Sequence, residues 1–315
     1  MSLLGIDLGG TKIAFMLFTE EGMVLTREKV LVGDKQGAGV AAIIKEKIAA
    51  FLQTAKTGHN EIRSIGISVP GIYYSKKGSV WAPNIPGWED YPLLQDIKKI
   101  SENIPVTIDS DRACYILGEA WQGNARGTRD AIFLAVGTGI GAGIMVDGNI
   151  LRGANDIAGA IGWMALQPPF KQHFAGCGCF EYHASGRGLA LLAEQYIAEV
   201  KDYHGALSTT SGLNSQDVFA AYDHQDPVAI KIIHQCLQFW GMAVANLVSL
   251  FNPEKIILGG GVFGPALQFL PEIKKEAENW AQPISIHQYS LEGSGLGEDA
   301  GVYGAAYLAL KNIAK

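Results

Sequence analysis

Cysteine is scarce, with Cys114, Cys177, Cys179 and Cys236 the only four in 315 residues, unevenly spaced. So few thiols in a chain this long exclude a disulfide framework and fit a cytoplasmic protein. Basic charge is also in deficit: 25 Lys and Arg stand against 31 Asp and Glu, a formal net charge of −6. That balance argues against a sequence-independent nucleic-acid binder, which needs a basic face to displace phosphate counterions. Ala131 to Val146 reads as the longest uncharged apolar stretch, yet it carries four glycines and stops at Asp147. It reads as two buried strands, since a membrane span needs roughly 20 residues. The opening Met1-Ser2-Leu3-Leu4-Gly5-Ile6-Asp7 has no basic region and meets an acid before a signal-peptide core could form. No membrane partner is expected.

Several catalytic signatures are missing too. There is no Gly-Lys dipeptide and hence no Walker A loop. Neither a His-Glu-x-x-His run nor a Gly-x-Ser-x-Gly elbow occurs. The nearest dinucleotide-type run, Gly295-Leu296-Gly297-Glu298-Asp299-Ala300, lies too near the C-terminus for the strand and ribose-binding acid that should follow it.

Glycine is what the chain has in excess, 39 residues, roughly twice the usual share. Without collagen periodicity, this points to tight turns and to backbone that approaches a ligand closely. With 48% hydrophobic residues, the length suits about two domains, each with a full core.

Read for periodicity, Leu3–Leu8 and Lys12–Thr19 are apolar strands joined by Gly9-Gly10-Thr11. A third strand over Val24–Val32, a helix over Val40–Leu52 and a buried strand over Ser64–Val69 follow. Val106–Asp109 is a short strand that runs into a helix from about Asp111 to Trp121. The pattern then restarts: strand Ala131–Val136, glycine turn Gly137–Gly143, returning strand Ile144–Val146. Helices are predicted over Gly188–Tyr203, Pro227–Phe251 and Pro265–Trp280, with a strand at Lys255–Leu258 and a closing helix at Ala300–Ile313. Asp226 and Pro227 form a start signal for the second of these.

A strand–glycine turn–strand unit thus occurs twice, at Asp7-Leu8-Gly9-Gly10-Thr11 and at Gly137-Thr138-Gly139-Ile140-Gly141. Two similar α/β halves would each present a glycine hairpin whose N–H groups can converge on phosphate, with Thr11 and Thr138 adding hydroxyls. A single copy is only a turn; two copies at matching places make phosphate binding as plausible as the plain turn. Asp7 ends an apolar strand just before the first turn, where its carboxylate suits phosphate-bound Mg²⁺ held through water. Asp111 stands where a strand becomes a helix, and as a bare feature it reads first as an N-cap and second as a general base.

Together these residues resemble the ROK family of repressors, open reading frames and kinases. Asp7-Leu8-Gly9-Gly10-Thr11-Lys12 resembles its first phosphate motif, and Gly137-Thr138-Gly139-Ile140-Gly141-Ala142-Gly143, Asp147-Gly148 and Gly153-Ala154-Asn155 its second. Ser68-Val69-Pro70-Gly71 and Pro83-Asn84-Ile85-Pro86-Gly87-Trp88 look like its sugar-side loops. Gly259-Gly260-Gly261-Val262 resembles the adenosine loop, and Ala300-Gly301-Val302-Tyr303-Gly304-Ala305-Ala306 the closing helix. The resemblance implies an α/β, two-lobed actin-like or hexokinase-like ATPase (ribonuclease-H-like) fold with a central cleft. Residues 1–118 and 300–315 would form the N-terminal lobe, and 119–299 the C-terminal lobe.

The implied activity is phosphoryl transfer from ATP, with Mg²⁺, to a sugar hydroxyl, usually the one on C6. Asp111 aligns with the catalytic base. Gly9, Gly10, Thr11, Lys12, Gly137, Thr138, Gly139, Gly260 and Gly261 would contact ATP, and Asp7 would serve the metal. Gly71, Asn84, Ser110, Asp111, Trp163 and Glu181 would line the sugar pocket. The resemblance also implies a homodimer. Only six residues precede Asp7, so the family's DNA-binding winged helix, and the repressor role with it, is not expected.

Three departures stand out. The family's Asn-Asp pair at the base is Ser110-Asp111, and its Gly-Glu-x-Gly-His run is Gly159-Ala160-Ile161-Gly162-Trp163. Ala160 removes a carboxylate that holds sugar hydroxyls, a loss on the order of several kcal/mol for a glucose-like substrate. Trp163 replaces an imidazole with a ring that either stacks on a sugar or fills the core. Of the four family zinc ligands only Cys179 remains, the others falling on Gln172, Phe174 and Trp163, so no structural zinc is expected. His173, Cys177, Cys179 and His183 have the donor types for tetrahedral zinc, but their spacing matches no standard finger, and a loop packed by Phe174 and Phe180 is the preferred reading. The substrate is expected to differ from ordinary glucose. The alternative is a non-catalytic sugar- or nucleotide-binding protein with a sensing role.

Overall fold

A computed structural model of the chain describes residues 1–57, 61–101, 103–209 and 212–313. Residues 58–60, 102, 314 and 315 of the expected N-terminal lobe, and 210 and 211 of the C-terminal lobe, lie outside the described residues. The chain forms two compact units: Met1–Gly127 with Ile150–Ala158 and Gly295–Lys315, and Thr128–Asn149 with Gly159–Ser294.

The first unit is built on strands β1 (Ser2–Leu8), β2 (Lys12–Thr19) and β3 (Val24–Leu31), then helix α1 (Ala38–Thr57) and β4 (Ile62–Val69). A short hairpin, β5 (Ile72–Tyr74) and β6 (Ser79–Trp81), and helix α2 (Leu93–Lys98) lead to β7 (Val106–Ser110) and α3 (Asp111–Gln122). The sheet order is β3-β2-β1-β4-β7. β1 is antiparallel to β2 and parallel to β4, which is parallel to β7. Alternation along β1 and β2 sends Leu4, Ile6, Leu8, Ile13 and Phe15 into one core with α1. It sends Leu3, Ala14, Met16 and Phe18 into a second cluster on the opposite face. Being covered on both faces is why these strands read as continuous apolar runs. The edge strand β3 is mostly exposed, with a charged run at Arg27, Glu28 and Lys29.

The second unit repeats the plan with β8 (Ala131–Val136), β9 (Ile140–Val146) and β10 (Asn149–Ile150). Helices α4 (Cys179–Ala184), α5 (Gly186–Glu199), α6 (Ser215–Asp223) and α7 (Pro227–Phe251) precede β11 (Lys255–Gly259), α8 (Leu270–Glu278) and β12 (Ser290–Gly293). The order is β10-β9-β8-β11-β12, with β8 antiparallel to β9 and parallel to β11, and β11 parallel to β12. The two sheets therefore share one pattern, a hairpin followed by parallel strands. Most of the core of this unit surrounds α7, where Trp240, Ala243, Val244 and Val248 are fully buried.

Helix α9 (Ala300–Ile313) returns to the first unit, adding Val302, Ala306 and Ala309 to the second cluster. Its approach to α3 is close: a Cβ on Gly304 would collide with the Cys114 carbonyl. Glycine there lets two helices touch backbone to backbone.

Some predicted boundaries shift. The second glycine turn is only Gly137–Gly139, because Gly141 and Gly143 lie within β9, opposite Ala135 and Phe133. The helix expected over Gly188–Tyr203 starts at Gly186, capped by Ser185, and stops at Glu199. The one expected over Pro265–Trp280 breaks in two, a 3-10 turn over Pro265–Phe269 and then α8, because Pro271 has no N–H to continue the ladder and instead opens a new first turn. Helix α7 keeps both predicted ends: Asp226 Oδ1 accepts from the Val228 and Ala229 amides, at 2.9 and 3.1 Å, and Asn252 closes it in the left-handed region. By length and composition α7, rather than Ala131–Val146, is the one helix among the described residues long and apolar enough to cross a membrane, and most of that window is buried inside the protein.

Candidate functional site

In the first unit, the parallel strands end together. Asp7 on β1 is in register with Ser68 on β4, and Ser68 and Val69 are in register with Asp109 and Ser110 on β7. Carboxyl ends of adjacent parallel strands are the usual place for ligands in such sheets. Asp111 follows as the first residue of α3. The predicted capping role belongs to its neighbour: the Ser110 side chain, on extended backbone, accepts from Ala113 N at 3.4 Å. Asp111 Oδ1 accepts from the Arg112 amide at 2.7 Å. Burial pushes the Asp111 carboxyl up to about 6, against the pull of the Arg112 charge and amide and the Tyr115 hydroxyl. Burial also raises Asp7 to about 6, opposed by the Ser68 hydroxyl and reinforced by the charge of Asp111. Two coupled carboxylates thus stand at the strand ends, both able to exchange protons near neutral pH.

The first hairpin closes by a bond from Gly9 N to Lys12 O at 2.9 Å. Thr11 is exposed, and the Lys12 ammonium pairs with Glu298 at 2.8 Å. Gly10 faces Asn84, to whose Cβ a methyl on Gly10 would come within 3.8 Å, so the turn and one predicted sugar loop meet. Gly71 sits at the turn between β4 and β5.

In the second unit, Gly137, Thr138 and Gly261 line one cavity of about 380 Å³ together with Gly186, Arg187, Asn214 and Gln216. Gly260 precedes Gly261 in the turn after β11. The hairpin and helix are stitched together, Gly186 N donating to Gly137 O at 2.8 Å and Arg187 N to Thr138 O at 3.5 Å. Leu213, Ala190 and Val262 give the cavity apolar walls, and Arg187 gives it a cation with no ion pair among the described residues. The sequence reading missed Arg187, Asn214 and Gln216. The Asn214-x-x-Asp217 capping box that opens α6 was the available signal for the last two.

Glu181 is half-buried and accepts from Ile140 N at 2.6 Å. A Cβ on Gly139 would lie 2.8 Å from its Oε2, so the glycine is what lets the carboxylate tuck against the hairpin. Burial raises its pKa, opposed by the Ile140 amide and the Arg187 charge. Trp163 does not fill the core; it is 57% exposed, which leaves its ring available to a ligand.

No group of three or more His, Cys, Asp or Glu among the described residues is arranged to hold a metal ion. His173 stacks on Tyr182 at 4.1 Å, while His183 is buried against Phe239 at 4.3 Å. This region is an aromatic cluster and does not fit a zinc site. Mg²⁺ is a different case, because it takes one or two carboxylates and fills its remaining positions with water and phosphate oxygens. Asp7, a hard oxygen donor raised by burial, fits that role.

The chain is 34% identical to the glucokinase of Halalkalibacterium halodurans over 316 residues, covering 96% of this chain and 93% of that one. It is 29% identical to the xylose repressor of Caldicellulosiruptor bescii, covering 99% of this chain and 79% of the repressor. Among solved structures, a ROK family glucokinase from Streptomyces griseus in complex with glucose and AMPPNP superposes with a TM-score of 0.76 at 28% identity, covering 99% of this chain and all of that one. Each unit's sheet is accordingly the one found in actin-like, hexokinase-like ATPases. The ROK family model matches residues 3–312, and the chain belongs to the ROK family.

Proposed function

We propose that this protein is an ATP- and Mg²⁺-dependent sugar kinase in which Asp111 is the general base. The observation that carries the reading is the Asp111 carboxyl, raised to about 6 at the first turn of α3 and released from capping by Ser110. A base with that pKa is largely ionised at neutral pH yet able to accept a proton. As the sugar oxygen, on C6 by the family resemblance, forms its bond to the γ-phosphorus, Asp111 takes the hydroxyl proton. The bond from γ-phosphorus to the bridging oxygen breaks, and ADP leaves with that electron pair. Phosphoryl transfer of this kind depends mainly on positioning and charge stabilisation.

The second-unit cavity, with its Gly-Thr hairpin, apolar walls and single arginine, supports a nucleotide as the donor. Gly9, Gly10, Thr11, Lys12, Gly137, Thr138, Gly139, Gly260 and Gly261 are the proposed nucleotide contacts. Asp7 would hold Mg²⁺ through water, and the bound ion supplies neutralisation of phosphate charge. Gly71, Asn84, Ser110, Trp163 and Glu181 are the proposed sugar contacts. Ala160 in place of a carboxylate and the exposed ring of Trp163 support a sugar held more by stacking than glucose is. A cytoplasmic homodimer completes the reading.

The alternative is a sugar-binding protein with a sensing role, favoured by Ala160 and by the repressor among the relatives. An ADP-release assay over hexoses, amino sugars and deoxy sugars separates the two. Turnover of one sugar, lost in Asp111→Asn, supports the kinase. Sugar binding by calorimetry without ADP release supports the sensor, and strong turnover of glucose overturns the substrate reading.

A further inference from the structure

Arg152 is one of the few charged side chains that engage a buried acid. Its Nε donates to Asp109 Oδ2 at 3.1 Å, and Nη2 donates to the same oxygen. Asp109 is 5% exposed, and its other oxygen, Oδ1, accepts from the Ser110 amide at 2.8 Å. The two carboxylate oxygens therefore have separate duties, one on the arginine and one on the backbone that opens α3. Ser110 in turn caps that helix at Ala113, and Asp111 lies between them.

The arginine comes from a segment with its own anchorage. Ile150–Ala158 belongs to the first unit, although the chain on either side of it belongs to the second. Asp156, at a φ of 60°, accepts from Ser75 N and Ser75 Oγ, each at 3.0 Å, and Ala158 N donates to Arg152 O at 3.1 Å. The segment is thus anchored through Asp156 and closed on itself between Arg152 and Ala158, which holds the guanidinium against Asp109.

We infer that Arg152 is a positioning residue for the proposed base: by neutralising the buried Asp109 carboxylate, it keeps Asp109 Oδ1 on the Ser110 amide and so fixes the turn that presents Asp111. A buried carboxylate with its cation removed either protonates or moves toward water, and either change weakens its grip on the amide. Burial already raises the Asp109 pKa, with Arg152 the largest opposing influence. The role of Asp111 in this inference rests on the kinase reading, whereas the order imposed on the turn does not.

The test compares Arg152→Ala, Arg152→Lys and the double variant Arg152→Ala/Asp109→Asn in the full-length protein. Asparagine at 109 carries no charge to compensate and still offers a carbonyl to Ser110 N. Amide hydrogen exchange over residues 108–114 reads the turn whether or not the protein turns over a sugar. The expected result is exchange at least tenfold faster in Arg152→Ala, with protection elsewhere unchanged, and recovery to within threefold of the parent in the double variant. On an active sugar, kcat should fall about tenfold or more in Arg152→Ala, with KM for ATP within twofold, and recover alongside the exchange. Arg152→Lys, a point charge without the fork, should fall between. Unchanged exchange in Arg152→Ala overturns the inference, as does a loss that Asp109→Asn fails to rescue. If instead the parent turns over no sugar while the exchange pattern holds, the kinase reading fails and the positioning of the turn stands.

Discussion

Ser110, and not Asp111, caps α3, one of the two roles that the sequence suggested for Asp111. The Ser110 hydroxyl takes the Ala113 amide at 3.4 Å and caps α3, which frees the Asp111 carboxylate to meet a ligand. Freedom from the cap has a cost in stability, because burial holds the carboxyl near 6 against the pull of the Arg112 charge. An acid whose folded pKa is raised binds its proton more tightly folded than unfolded. Stability therefore falls as pH rises through the interval between the ordinary value and the folded one. Asp111→Asn should stabilise the protein by about 1–3 kcal/mol at pH 7.5, and the gain should vanish below about pH 3, where Asp111 is protonated in both states. Urea melts at the two pH values measure this. The same substitution should lower kcat by about 10²–10⁴-fold.

The raised carboxyl also sets an acid limit on turnover. With Asp111 titrating near 6, kcat for an active sugar should fall tenfold per pH unit below that value and level off above it. The profile is measured at saturating ATP and sugar. A plateau extending down to pH 4.5 would show that another group accepts the proton.

The exposed ring at position 163 should matter for the sugar and little for the fold. Trp163→Ala removes a side chain that is 57% in solvent, so stability should change by no more than about 0.5 kcal/mol. Loss of stacking should raise KM for the sugar about tenfold while leaving KM for ATP unchanged. If sugar KM does not move, Trp163 is a bystander and selection lies elsewhere.

The sheet hairpins, the restart after residue 130 and both ends of α7 were legible because each is written locally. Alternating apolar residues, Gly-rich turns and the Asp226-Pro227 start act over a few positions. The cap of α3 was less legible, because Ser110 and Asp111 both have capping chemistry and only the extended backbone at Ser110 separates them. Arg187 and Arg152 were out of reach for a different reason. Their significance comes from Thr138 and Asp109, partners distant in sequence that only the sheet brings alongside. The division of α8 was signalled by Pro271 and passed over, since the apolar spacing continued across it.

His183 is buried on Phe239, with its Nδ1 accepting from Gln235 Nε2 at 2.8 Å. Burial, aided by the charges of Lys171 and His173, pushes its pKa down to about 4. The unfolded chain binds that proton more readily between about 4 and 6.5, so this histidine makes stability fall as pH drops through the window. His183→Phe keeps the ring but cannot titrate. The stability of the parent relative to this variant should drop by about 1–3 kcal/mol between pH 7.5 and pH 4.5, read from urea midpoints. A difference that stays constant with pH would mean that folding does not shift the imidazole pKa.

Arg187 offers the sharpest test of the proposed nucleotide cavity. Its backbone is tied to Thr138 O, its side chain lines the same space as Gly137, Thr138 and Gly261, and no carboxylate among the described residues pairs with it. A guanidinium so placed next to a glycine hairpin suits a phosphate oxygen, and a charge-assisted bond of that kind contributes roughly 1.5–3 kcal/mol. Arg187→Ala should therefore raise KM for ATP about tenfold or more, with the sugar KM changed less than threefold. Arg187→Lys should recover only part of the loss, because an ammonium cannot make the paired contact. Equal weakening toward ATP and sugar would place Arg187 in the scaffold that supports Glu181, whose charge it also faces. No change toward ATP would move the nucleotide out of this cavity.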